Sequence, residues 1–227
     1  MEGKHDPVMQ HLAGIHFFKR LEPRARDAFA DLVREFIATR HFEAGPDMEL
    51  RNVHRVLVGA TAVRMVRHIG LSAFDAVTHV VIHREAVRAS DGRLGAGRTV
   101  GHHSGTVRIE LAWDEMLRGF MNPRDGVDVM VHELAHALDL AGGAFDGTPN
   151  LRAHQDYEVW SAVLHNHYER MGEPAHPIGD VLREYAATDR AEFFAVASEA
   201  YFECPDKLER ELPGLFRKLQ RFYGPRP

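Results

Sequence analysis

The chain has 227 residues, 44% of them apolar, with 28 Lys and Arg against 33 Asp and Glu and a formal charge of −5. That size suits one large domain or two small ones, the apolar share supports a sizeable core, and the mild acidity argues against direct nucleic-acid binding over the whole surface. A single cysteine, Cys204, excludes an internal disulfide and a cysteine-rich zinc finger, and the sequence holds neither an 18-residue apolar run for a membrane span nor a signal-peptide core, so a cytoplasmic protein without membrane contact is expected.

Arg24 to Thr39 reads as an amphipathic helix, with Phe29, Leu32, Val33 and Phe36 at i, i+3, i+4 and i+7. The turn Gly45-Pro46-Asp47 separates it from a second helix over about Glu49 to Ile69. Ala76 to His83 is a strand, carried by the β-rich run Val77-Thr78-His79-Val80-Val81-Ile82. A Gly-rich loop follows, with Gly92, Gly95, Gly97, Gly101 and Gly105. Thr106 to Trp113 is a second strand, in which Val107, Ile109 and Leu111 alternate with Arg108, Glu110 and Ala112. It is the candidate edge strand for pairing with an extended peptide.

Val127 to Ala141 carries His132-Glu133-Leu134-Ala135-His136 in an apolar run with no Pro or Gly. Asp125 and Asp128 flank Gly126 at its start, and Gly142-Gly143 supplies a stop. A loop with Asp146-Gly147-Thr148-Pro149 leads to a long helix, Arg152 to Met171, and a turn region from Gly172 to Gly179. Asp189 to Glu203 is the next helix, ended by Pro205. A last helix, about Asp206 to Tyr223, is broken at Pro213-Gly214. No repeat or long linker is visible. The expectation is one α+β domain over 1–227: a helical part at 1–70, then a small sheet, the motif helix and further helices over 71–227.

Residues four apart on a helix share a face, so His132 and His136 can hold one ion, with Glu133 beside it as general base. Catalytic zinc takes a third protein ligand and leaves a position open. Gly142 occupies the place where a longer version of the motif has a third His, so that ligand comes from farther away. Glu192 and Glu199 are seven apart among Phe193, Phe194, Val196 and Ala197, where a carboxylate is costly to bury without a cation. Either can serve. Asp139, three residues after His136, is placed to orient an imidazole. His102-His103 reads as a polar loop, His165 and His167 point to different faces, Cys204 is a helix-end residue, and Tyr201 packs.

His132 to Asp139, Asp146-Gly147-Thr148-Pro149 and Ala191 to Glu199 resemble, in order and spacing, the Mlc titration factor A family of bacterial zinc metallopeptidases. The likeness runs from about Val127 to Tyr223, and Val107 to Asp114 fits the strand before that family's motif helix. It implies a mostly helical zincin-like peptidase domain of the gluzincin type, binding Zn2+ and hydrolysing a peptide or protein. It further implies His132, His136 and Glu192 as zinc ligands, Glu133 as base, and Tyr185 facing the substrate or its oxyanion. The family's name implies an alternative, a regulatory protein that sequesters a transcriptional repressor, with zinc structural or weakly catalytic.

Overall fold

The computed structural model describes residues 6–46, 48–88, 94–102, 104–143, 145–151, 157–173 and 176–225. The first half holds helices α1 (Pro7–Leu12), α2 (His16–Lys19) and α3 (Pro23–Ala38), strand β1 (His41–Ala44), helix α4 (Asn52–Val66), strands β2 (Val77–His83), β3 (Val87–Arg88), β4 (Leu94–Gly95), β5 (Gly97–Gly101) and β6 (Val107–Ala112), and helix α5 (Trp113–Met121). The second half is helical: α6 (Val129–Gly142), α7 (Tyr157–Glu169), α8 (Ile178–Val181), α9 (Arg190–Glu203), α10 (Pro205–Glu211) and α11 (Pro213–Tyr223). This is the expected α+β composition. Among the described residues no helix is long and apolar enough to cross a membrane.

Four strands form one sheet in the order β1-β2-β6-β5, with β1, β2 and β6 parallel and β5 antiparallel to β6. The second predicted strand is therefore interior, and the expectation that Thr106 to Trp113 offers a free edge is overturned. The Gly-rich segment supplies the covering strand. It turns back through Gly105, whose φ of 77° suits glycine, and His102 N–H donates to Thr106 O at 2.8 Å. Among the described residues, β5 is the outermost strand on this side. β1 was also not anticipated; it is a four-residue strand paired on one side.

The β2–β6 register pairs Val80 with Ile109 and Ile82 with Leu111, all buried. Opposite Val107, Ile109 and Leu111, β5 sets Gly101, Thr99 and Gly97, so these three share the core-facing side. Helix α6 lies against that side: a Cβ on Gly101 would meet Leu140, and one on Gly97 would meet Glu133. Asp128 caps α6 by accepting from Met130 N and Val131 N, and Gly143, with φ 99°, ends it. The predicted start of the long helix, Arg152 to Asp156, lies outside the described residues, as does His103.

Behind α6 lies α9, buried from Phe193 to Glu203. Its last turn inserts Glu203 beside Arg64 of α4, which donates to Glu203 Oε1 at 3.3 Å and to Phe202 O at 2.7 Å. Burial, then the nearby Asp128 charge, pushes the Glu203 carboxyl up to about 7, against the pull of Arg64. A carboxyl raised on folding binds more protons in the folded state. Its stabilising contribution is full below the ordinary value near 4.5 and is lost as pH rises through about 7. Thermal melts at pH 5 and pH 8 should show a smaller loss of Tm on going to the higher pH in Glu203→Gln than in the wild type. An equal loss in both would contradict this account.

Candidate metal centre

Helix α6 places His132 and His136 one turn apart and facing α9. The first turn of α9, capped by Asp189 accepting from Glu192 N at 2.9 Å, aims Glu192 at the same point. His132 Nε2 lies 3.1 Å from His136 Nε2 and 3.0 Å from Glu192 Oε2, and His136 Nε2 lies 3.4 Å from that oxygen. A tetrahedral ion with ordinary Zn–N and Zn–O bonds has ligand-to-ligand edges of about 3.3–3.5 Å. Three lone-pair atoms drawn this close, with Glu192 Oε2 buried and lacking a hydrogen bond of good geometry, fit a metal ion. Among the described residues these three side chains form the group able to hold one.

The carboxylate that orients His132 is Glu199, two turns along α9. Its Oε1 accepts from His132 Nδ1 at 2.7 Å and from Arg183, and its Oε2 accepts from the Asp128 N–H at 2.8 Å. With the proton on Nδ1, His132 presents a bare Nε2 to the ion. Glu192 is held by Tyr185, whose phenol donates to Oε1 at 3.0 Å, leaving Oε2 for the metal. Arg183 stands over the Tyr185 ring, 5.5 Å from its centroid.

Without a metal ion, burial pushes His132 down but Glu192 and Glu199 outweigh it and raise the imidazole to about 10, so a bound ion would displace the Nε2 proton. Burial raises Glu192; the two imidazoles reverse this and hold it well below the usual carboxylate range. Glu133 is raised by burial, with His132 and His136 opposing. Tyr185 is pushed up to about 12 by burial and by Glu192, so it remains a proton donor at neutral pH. The group opens on a cleft of about 530 Å³ whose lining includes Gly97, Val129, His132, Glu133, Arg183 and Tyr185.

The structure thus brings His132, Glu133, His136, Tyr185 and Glu192 to one site, and it separates the two carboxylates that spacing alone left equivalent. Asp139 does not orient an imidazole. Its Oδ2 accepts from Gly147 N at 2.9 Å, and neither its Oδ1 nor His136 Nδ1 has a hydrogen-bond partner among the described residues. Asp139 instead ties down the Asp146-Gly147-Thr148-Pro149 loop. Gly147 has φ 82°, and a Cβ there would fall 2.4 Å from Arg190 O, so this loop sits directly on the start of α9. Cys204 lies between α9 and α10, its thiol on Arg124 O at 3.1 Å, and Tyr201 is buried with its hydroxyl on Gly224 O. Arg183, Gly97 and Thr99 were not anticipated. Thr99 Oγ1 lies 2.7 Å from Glu133 Oε2; the hint was an alternation of glycines around it.

The fold is α+β, and His132, His136 and Glu192 form a donor set able to hold a metal ion. The sequence profile of the glucose-regulated metallo-peptidase M90 family matches residues 5–224, and the chain belongs to that family. A Synechocystis protein of uncharacterised function, slr2042, is 25% identical over 96% of this chain and 83% of its own. Mlc titration factor A of Pectobacterium atrosepticum is 27% identical over 96% of this chain and 86% of its own. The protein of the same name from Yersinia enterocolitica is 30% identical over 71% of this chain and 64% of its own. A crystal structure from Bacteroides caccae, described as a candidate zinc-binding metallo-peptidase, covers 90% of this chain and 80% of its own with a TM-score of 0.31 and 14% identity. A score that low carries no weight here.

Two outcomes follow from this geometry. Glu199→Gln should weaken zinc binding by about 10- to 100-fold, read by competition with a chromogenic chelator; unchanged affinity would remove Glu199 from the support of His132. Gly147→Ala should lower stability by about 1–3 kcal/mol, read by urea unfolding, because a side chain there meets the Arg190 carbonyl.

Proposed function

We propose that the chain is a zinc-dependent peptidase, a single domain over 1–227 acting on a peptide or protein in the cytoplasm. The observation that carries this reading is the convergence of His132, His136 and Glu192 on one point, with Glu133 beside it on the cleft floor. When bound, zinc would supply Lewis-acid polarisation of the scissile carbonyl and lower the pKa of a water toward neutrality. Glu133 then takes the proton from the attacking water and returns it to the leaving amine. Its enclosure favours the uptake, since burial makes the carboxylate a stronger base. Tyr185, half exposed at the cleft and still protonated, has a phenol able to turn from Glu192 toward a developing oxyanion. The outer edge of β5 offers an extended peptide main-chain hydrogen bonds along the rim of the same cleft.

A second reading rests on the relatives' name, Mlc titration factor A. In it the chain binds and sequesters a transcriptional repressor, and the zinc site serves mainly to hold α6 and α9 together. Glu133→Gln separates the two. In the first reading it keeps zinc at one equivalent and lowers peptide turnover by about 10²- to 10⁴-fold, measured by cleavage of a peptide library alongside metal analysis. Retained turnover would contradict Glu133 as base. A wild type that cleaves nothing when zinc-loaded but binds a repressor would favour the second reading.

A further inference from the structure

We propose that Thr99 is a positioning residue for Glu133, its hydroxyl holding one carboxylate oxygen so that the other faces the cleft for proton transfer. The inference rests on the reading of Glu133 as general base.

The argument begins with β5. The strand turns Gly97, Thr99 and Gly101 toward α6. A Cβ at Gly97 would fall 2.7 Å from both Glu133 Cγ and Glu133 Oε1, so the Glu133 side chain occupies space that only glycine leaves. Thr99, the next residue on that face, brings Oγ1 to 2.7 Å from Glu133 Oε2 and 2.9 Å from Glu133 O. A hydroxyl has one proton to give. The ionised carboxylate is the stronger acceptor, so the proton goes to Oε2. Glu133 Oε1 has no hydrogen-bond partner among the described residues, and Glu133 lines the cleft. The two oxygens are thus made inequivalent, one tied to the strand and one available to a water.

This matters because the terminal torsion of a glutamate is broad. A carboxylate on a helix would otherwise sample rotations that turn its lone pair away from the reacting atoms, and small misplacements of a catalytic group are costly. Threonine suits the task better than serine. Its branched Cβ restricts χ1, so the hydroxyl is held in place by the strand at little further loss of freedom. Glycine at 97 and threonine at 99 together form a socket for the base on a strand whose other edge is the one open to an extended peptide. Thr99 acts through Glu133 and need not touch substrate.

Thr99→Val keeps the shape and branching and deletes the hydroxyl; Thr99→Ser keeps the hydroxyl. In the zinc-loaded full chain, Thr99→Val should lower kcat by about tenfold or more, the range for losing a hydrogen bond to a charged group, with KM and zinc content within about twofold of wild type. Thr99→Ser should recover most of kcat. A second measurement is independent of turnover: a double-mutant cycle of Thr99→Val and Glu133→Ala in urea unfolding, expected to show coupling of about tenfold in the unfolding constant. Unchanged kcat in Thr99→Val, a change confined to KM, or an additive cycle would each overturn the proposal. A wild type with no turnover would sink the peptidase reading instead, and the cycle would still decide whether Thr99 holds the Glu133 carboxylate.

Discussion

Glu199 is a fully buried carboxylate that accepts from the His132 imidazole, from the Asp128 backbone at the start of α6, and from the Arg183 guanidinium. A charge removed from water is tolerable only when its oxygens are satisfied by donors of this kind. Meeting that requirement presses the middle of α9 against the first turns of α6. Glu192 lies seven residues earlier on α9, two helical turns away, and the packing that satisfies Glu199 delivers Glu192 to the two Nε2 atoms. One carboxylate holds the His132 Nδ1 and the other meets the two Nε2 atoms, because they sit at different heights on the same face.

The rest of the molecule fixes that contact from both ends. At the far end of α6, Gly143 stops the helix and the Asp146 to Pro149 loop folds back, tied by Asp139 and pressed onto the first residue of α9 through Gly147. Trp160 of α7 closes the same loop with a hydrogen bond to Gly147 O at 3.3 Å. On the opposite side of α6, the sheet presents β5, whose glycines allow a close approach. The site is therefore a seam between a sheet edge and two helices: α6 contributes His132, Glu133 and His136, α9 contributes Glu192 and Glu199, and β5 contributes Thr99. Tyr185 and Arg183 arrive from the short segment between α8 and α9 and close its outer rim.

Much of this was legible in the residues because it depends on local patterning. The apolar density around His132 and His136 marks a buried helix, and two buried imidazoles one turn apart ask for a shared purpose. Glu192 and Glu199 could be placed on one face by spacing, but not told apart, since the distinction lies in which one meets Asp128 and Arg183. Tyr185 was reached through family resemblance alone; nothing in its neighbours marks it. The edge strand was missed because β5, Gly97-Arg98-Thr99-Val100-Gly101, carries no hydrophobic alternation, and its strand character comes from pairing with β6. Asp139 was misread for a similar reason. Its distance from His136 along the helix was right, but backbone N–H groups of a loop distant from spacing rules claim its carboxylate.

The central claim is that two imidazoles and one carboxylate hold a zinc ion and leave a position for water. Zinc K-edge X-ray absorption on the metal-loaded chain reads this directly. The account predicts one equivalent of zinc with two imidazole nitrogens and two oxygens at about 2.0–2.2 Å. A sulfur shell, a third imidazole, or a signal with no imidazole scattering would contradict it.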